Sequence, residues 1–216
     1  MCVQLLPFLP SPFIPSMASR IFLYRMMTDA GCAPNIDGGV CTLAICKPSI
    51  RRTANVGDIV IGLRARSGEL GRLGPHAEDS VLYAMIVTRK MTFAEYDAYC
   101  TADLPMKIPS DEYPMGDCQY TADGTQRPGP HSPALIPTDL SGKYVLLSDP
   151  GHFWYRKDPV GHRLTPALAS MLEVEKVRRG HCVHTSNALV VDALKAWCAS
   201  FPTTNVKQHK RKSKCT

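Results

Sequence analysis

No two of the nine cysteines stand in a C-x-x-C pair, which removes the usual zinc-ribbon and dithiol redox sites from consideration. The count is also odd, so a reduced compartment is expected, with most thiols acting as small hydrophobes. Cys41, Cys46, Cys182 and Cys198 all sit among apolar neighbours. No stretch reaches the roughly 18 apolar residues needed to cross a bilayer, so no membrane partner is expected. The first twenty residues are apolar but carry Pro7, Pro10, Pro12 and Pro15, and no positive charge precedes Arg20. They lack the charged start and unbroken apolar helix of a signal peptide. There is no internal repeat and no G-x-S-x-G element, and nothing implies a resident metal or other cofactor.

Acidic residues are missing from the last ten positions, which matters for the charge balance. The net charge is +6, but Lys207, Lys210, Arg211, Lys212 and Lys214 fall in that segment, leaving about +1 on the rest of the chain. The folded part is therefore close to neutral, and any basic surface on it is local. The run KRKSK at Lys210 to Lys214 resembles a nuclear-import signal and equally fits a solubilising end. The expected location is intracellular, nuclear or cytoplasmic. A length of 216 residues and a hydrophobic fraction of 44% fit one globular domain with tails. We place a disordered or artefactual proline-rich extension at 1–20, the domain at 21–202 and a basic disordered tail at 203–216.

Strands are expected at Ile21 to Met27, Ile59 to Leu63, Val81 to Thr88 and Tyr144 to Ser148, all apolar runs of strand length. Thr92 and Glu95 form an S/T-x-x-E capping box that opens a helix to about Ala102. A short helix over Pro48 to Ala54 would carry Arg51 and Arg52 on its exposed side, with Pro48 in its first turn. Further helices are expected over Ala167 to Val177 and over Leu189 to Ala199, the latter with Leu189, Val190, Leu194 and Trp197 on one side. Leu104 to Thr138 is rich in proline and reads as a long irregular excursion. Strands and helices do not alternate, so an α+β fold with a compact barrel-like sheet, short inserted helices and a long irregular loop is expected.

The segment from Thr28 to Gly62 joins three signals. A polar loop punctuated by Asp29, Gly31, Pro34, Asn35, Gly38 and Gly39 leads to Lys47, Arg51 and Arg52, then to Gly57-Asp58 and a strand. Guanidinium groups pair bidentately with phosphate, and glycine-rich backbone can approach a ligand closely. The alternative is a solvated helix face. His131, Asp139 and Asp149 are the candidates for acid–base chemistry, although a histidine, serine and aspartate so near in sequence more often order a loop. Tyr155, after Phe153 and Trp154, is a candidate for base stacking. Arg179 and His181 follow a helix end, where cations are favoured anyway; His181 and His184 alone make a weak metal pair.

In chain order, Asp29-x-Gly31-x-Ala33-Pro34-Asn35, Cys41-Thr42-Leu43-Ala44-x-Cys46-Lys47-Pro48-x-Ile50-Arg51, Gly57-Asp58 and Gly62 are followed by Tyr83-Ala84-Met85 and Phe93 with Tyr96. His131-Ser132, Asp139-Leu140-Ser141-Gly142, Val145-Leu146-Leu147-Ser148, Phe153 with Tyr155, and Arg179-Gly180-His181 complete the series. Together they resemble the nucleotide modification associated domain, type two, over roughly residues 21 to 200. The resemblance implies association with systems that modify bases in DNA. The order of elements is also similar to PUA-like barrels, an analogy of fold alone.

Two readings follow. In the first, the protein is a module recognising a nucleotide or modified base, with DNA or nucleotide as its partner. Phosphate would fall to Lys47, Arg51 and Arg179, and the pocket to Asp29, Asn35, Asp58, His131, Tyr155 and His181. In the second, it is an enzyme using His131 with an acid. A histidine within hydrogen-bond reach of a carboxylate in a closed cleft favours the enzyme; an open aromatic-floored pocket facing Arg51 favours the binder.

Overall fold

The structure is a computed structural model that describes residues 19–72, 79–155, 161–178, 180–185 and 188–201. The described residues begin with β1 (Arg20–Met26), pass a loop to β2 (Cys41–Leu43) and α1 (Pro48–Thr53), and continue into β3 (Ile59–Arg64). After α2 (Gly68–Gly71) come β4 (Ser80–Ile86), β5 (Arg89–Thr92) and α3 (Phe93–Asp103). A long irregular segment leads to α4 (Ile136–Leu140), β6 (Tyr144–Ser148), β7 (Phe153–Tyr155) and β8 (His162–Arg163). The last elements are α5 (Pro166–Met171), β9 (His181–Thr185) and α6 (Ala188–Ala199).

The mixed α+β class expected from the sequence is present, but among the described residues the strands form two sheets. One runs β7-β4-β3-β1-β9, with β8 also paired to β4, and the other runs β2-β6-β5. No closed barrel is found among the described residues, so the likeness to PUA-like folds rests on element order alone. Within the larger sheet β1 and β3 are parallel, joined through β2 and α1, and the other pairings are antiparallel.

Both faces of the larger sheet are covered, which explains why β1, β3 and β4 read as unbroken apolar runs rather than alternating ones. Ile21, Leu23, Ile59 and Ile61 pack with Leu168, Leu194 and Trp197 from α5 and α6. The opposite face sets Phe22, Tyr24, Met26 and Val60 against Cys41, Leu43, Ile50 and Leu146. The smaller sheet and α1 thus close over one side, and the candidate site lies under that cover. The capping box at α3 forms as expected, with Thr92 Oγ1 accepting from Glu95 N–H and the Glu95 carboxylate accepting from Thr92 N–H.

Three expectations are corrected. The helix predicted over Ala167 to Val177 ends at Met171, and a 3-10 turn at Val174–Lys176 replaces its second half. In α6, Leu189 is exposed, and Val191, Leu194 and Trp197 form the buried side. The histidine-containing run after Gly180, expected only to follow a helix end, is the edge strand β9, paired to β1.

Gly62 has a specific packing role in β3. A Cβ there would lie 2.4 Å from Tyr83 Cε1 and 2.5 Å from Met26 Sδ, and the β3–β4 register shifts at Gly62/Leu63. Its missing side chain makes room for Met26 and for the ring of Tyr83, whose hydroxyl meets that of Tyr24 at 2.8 Å. Gly62→Ala is expected to cost about 1–3 kcal/mol through overpacking, read as a lower urea midpoint with an unchanged slope. A midpoint equal to wild type would show that the tyrosine pair yields freely.

Candidate active site

Arg51 lies on the inner side of α1 and is fully buried. Its Nε donates to Cys46 O at 2.7 Å, Nη1 to Tyr144 O at 2.9 Å and Nη2 to Asp139 O at 2.5 Å. Asp139 Oδ1 stands 4.0 Å from Nη2, and the Phe93 ring lies beneath the guanidinium. Burial pulls this group down to about 10, against the opposing charge of Asp139, so it remains cationic at neutral pH. The glycine of Asp139-Leu140-Ser141-Gly142 has its reason here, since a Cβ on Gly142 would fall 2.4 Å from Arg51 Cζ. A guanidinium with all three nitrogens engaged inside the protein is not free to hold phosphate. That expectation for Arg51 is corrected, as is its placement on the exposed side of the helix.

The partner carboxylate organises the other half of the site. Asp139 Oδ1 accepts the Cys46 backbone N–H at 2.8 Å, while Oδ2 accepts the Tyr120 hydroxyl at 3.1 Å and meets His131 Nε2 at 2.7 Å. Burial alone would raise this carboxyl. The bonds from His131 and the Cys46 N–H, with the charge of Arg51, outweigh it and hold the group below the ordinary carboxylate range. An ionised Asp139 accepts, so the hydrogen of this bond sits on Nε2. Nδ1 is buried and has no hydrogen-bond partner.

His131 lines a small cavity with Thr28, Ala30, Cys32, Ala33, Ile45, Cys46 and Leu135; Cys32 is disulfide-bonded, against the reduced thiols expected from the sequence, whereas Cys46 is free. Its volume of about 40 Å³ admits a water molecule or a single reacting group rather than a whole base. The sequence expectation that His131 and Asp139 belong together is met in space. Ser132, the third member of that neighbourhood, starts the 3-10 turn at Pro133–Leu135 and makes no bond to the pair.

The cavity is bounded by the turn between β2 and α1, where Cys46 and Lys47 both adopt positive φ, 60° and 42°. Such backbone costs on the order of 1–3 kcal/mol per residue and is kept where surrounding contacts enforce it. Here the enforcing contacts are Arg51 on the Cys46 carbonyl and Asp139 on its N–H. The Cys46 thiol is pushed up by burial and by Asp139, with Lys47 and Arg51 opposing.

On the other side of the turn, Lys47 places its ammonium 4.4 Å over the Tyr24 ring. Tyr24 belongs to a row that crosses the sheet: His181 pairs with Tyr24, Tyr24 with Gly62, Gly62 with Tyr83, and Tyr83 with Tyr155. At the far end Tyr155 donates to Asp29 Oδ2 at 2.6 Å. Burial, then the charge of Lys47, lowers His181, and burial raises Tyr24 and Tyr83. Asp29, Lys47, Tyr155 and His181 are therefore gathered along one face. Tyr155 is buried and hydrogen-bonded, so it closes the row rather than offering an open stacking surface.

Several candidates are placed elsewhere. Asn35 is fully buried and holds a second polar knot, where Lys107 Nζ donates to Asn35 Oδ1 at 2.6 Å and Asn35 Nδ2 donates to Met115 O at 2.9 Å. Asp58 pairs with Arg20 at 2.7 Å and accepts the Asn55 N–H. Asp149 pairs with Arg89 beyond the end of β6. Arg52 is exposed and donates to Ser141 O. Arg179 lies outside the described residues. Among the described residues no group of three or more His, Cys, Asp or Glu is placed to hold a metal ion.

Tyr24, Tyr83, Tyr120 and Cys46 were not legible as site residues. The glycine inside the apolar strand β3 was the signal for the tyrosines, because a strand interior rarely gives up a side chain without a close neighbour to receive.

Removing the buried cation tests this arrangement. Arg51→Met strands Asp139 and three carbonyls and is expected to cost about 3–5 kcal/mol in denaturant unfolding. Lys47→Met, at a half-buried position, should cost under about 1 kcal/mol. Equal effects would place Arg51 at the surface.

Comparison with curated proteins and with solved structures returned no match. The family model described as nucleotide modification associated domain 2 matches residues 18–212, nearly the whole chain, and the protein belongs to that family.

Proposed function

We propose that the protein is an enzyme acting on a nucleotide or on a base in DNA, with His131 as general base through Nδ1. The observation that carries this reading is the His131–Asp139 pair at 2.7 Å, closed beside a cavity that the ring lines. Asp139 fixes the ring and its tautomer and stabilises the imidazolium that forms when Nδ1 takes a proton. The cavity holds one water or one reacting group, so the rest of the substrate lies outside it, toward Thr28 and Ala30. Lys47 and His181 supply the polar, cationic side for a phosphate.

A second reading, recognition without chemistry, is supported by a different place. A cleft of about 420 Å³ on the opposite face of the sheet is lined by Phe153, Trp154, Phe201, His152 and Lys195, a size and lining that suit a planar base. It does not face Arg51, which lies under the smaller sheet.

Mass-spectrometric analysis of nucleotides, and of duplexes with and without modified bases, after incubation with the protein tests the first reading. His131→Ala is expected to reduce turnover by about 10²–10⁴-fold with binding retained. Turnover unchanged in that variant would remove His131 from the chemistry. The depressed Asp139 also has a stability consequence. Because its folded value lies below the unfolded one, its contribution is complete above the ordinary aspartate value and is lost as pH falls through the folded value. The stability gap between wild type and Asp139→Asn should therefore be widest near neutral pH and close in acid.

A further inference from the structure

We propose that Cys46 is the covalent nucleophile of this site, acting on an sp² carbon that carries a nitrogen leaving group, as in an amide or the amidine carbon of a base. The inference rests on the acid–base reading of His131. Three observations lead to it. Cys46 and His131 line the same small cavity. Nδ1 of His131 is buried without a hydrogen-bond partner while Nε2 is held by Asp139. The cysteine occupies the turn from β2 into α1 at a φ of 60°, fixed from both sides of its peptide by Arg51 and Asp139. A thiol that shares a cavity with a histidine oriented by a carboxylate needs only to close on the free ring nitrogen to reach the arrangement of general-base-assisted nucleophilic catalysis.

Burial holds the thiol protonated at rest, so its proton leaves during attack rather than before it. Sγ bonds to the substrate carbon as the thiol proton passes to His131 Nδ1. His131 returns that proton to the departing nitrogen as the C–N bond breaks. Water then adds to the same carbon, giving its proton to Nδ1. The C–S bond breaks, and the proton returns to sulfur. The net change is hydrolysis, with water as the only co-reactant and the protein restored.

Cys182 and Cys198 are free, partly exposed thiols away from the cavity and serve as internal references. The full chain is treated with 2-chloroacetamidine, an amidine electrophile, and the modification rate at each cysteine is read by peptide mass spectrometry. Cys46 is expected to react at least about tenfold faster than Cys182, and His131→Ala, or His131→Gln if the alanine variant does not fold, should remove that advantage without changing the rate at Cys182. Labelling of Cys46 no faster than Cys182, or indifferent to residue 131, overturns the proposal. In the turnover assay, Cys46→Ala with wild-type activity beside an inactive His131→Ala overturns the covalent step and leaves the acid–base reading standing; loss in both supports it.

Discussion

A guanidinium and a carboxylate withdrawn from water together constrain everything around them. Neither Arg51 nor Asp139 can be left alone, because the penalty for an unpaired buried charge is several kcal/mol. Satisfying them fixes the carbonyl of Cys46, the carbonyl of Tyr144 and the backbone of Asp139 in one place. The β2–α1 turn, the start of β6 and the end of the long irregular segment are thereby tied together. His131, which lies within that irregular segment, is held by the anchored Asp139 through Nε2 and by Gln126 through its carbonyl.

The turn at Cys46 and Lys47 then divides two environments. Toward His131, whose Nδ1 is buried and unbonded, lies a small cavity. Toward β1 lies a tyrosine row whose hydroxyls are held by one another and by Asp29, with one half-buried cation over it. The His131–Asp139 pair and the half-buried Lys47 are thus adjacent but separately built. Three of the chain's cations are internal: Arg51, Arg64 and Lys107 are all fully buried. The near-neutral body inferred from the sequence is consistent with a site defined by a few placed groups rather than a broad basic surface.

Strands buried on both faces were legible as apolar runs, and α3 was legible from its capping box, because those signals are local. The edge strands β5 and β9 were not. Their residues, Arg89-Lys90-Met91-Thr92 and His181 to Thr185, mix polar and apolar side chains as edges do. Arg51 was misplaced by its neighbour Arg52, although Lys47, Ile50, Arg51 and Ala54 stand at the i, i+3, i+4, i+7 spacing of one helix face. Asn35 and Asp58 show the same limit. Polar residues in a glycine-rich loop read as ligand groups, yet here they satisfy buried backbone and cations. His131 with Asp139 was legible as a pair because they are close in sequence, whereas Cys46 is 93 residues from the aspartate that fixes its N–H.

The central claim is that the knot delivers a histidine with Nε2–H given to Asp139 and Nδ1 open to the cavity. A nitrogen-15 imidazole correlation spectrum of the full-length protein at neutral pH reads this directly. The account predicts for His131 a single tautomer protonated at Nε2 and bare at Nδ1. A proton on Nδ1, or two tautomers in exchange, would contradict it.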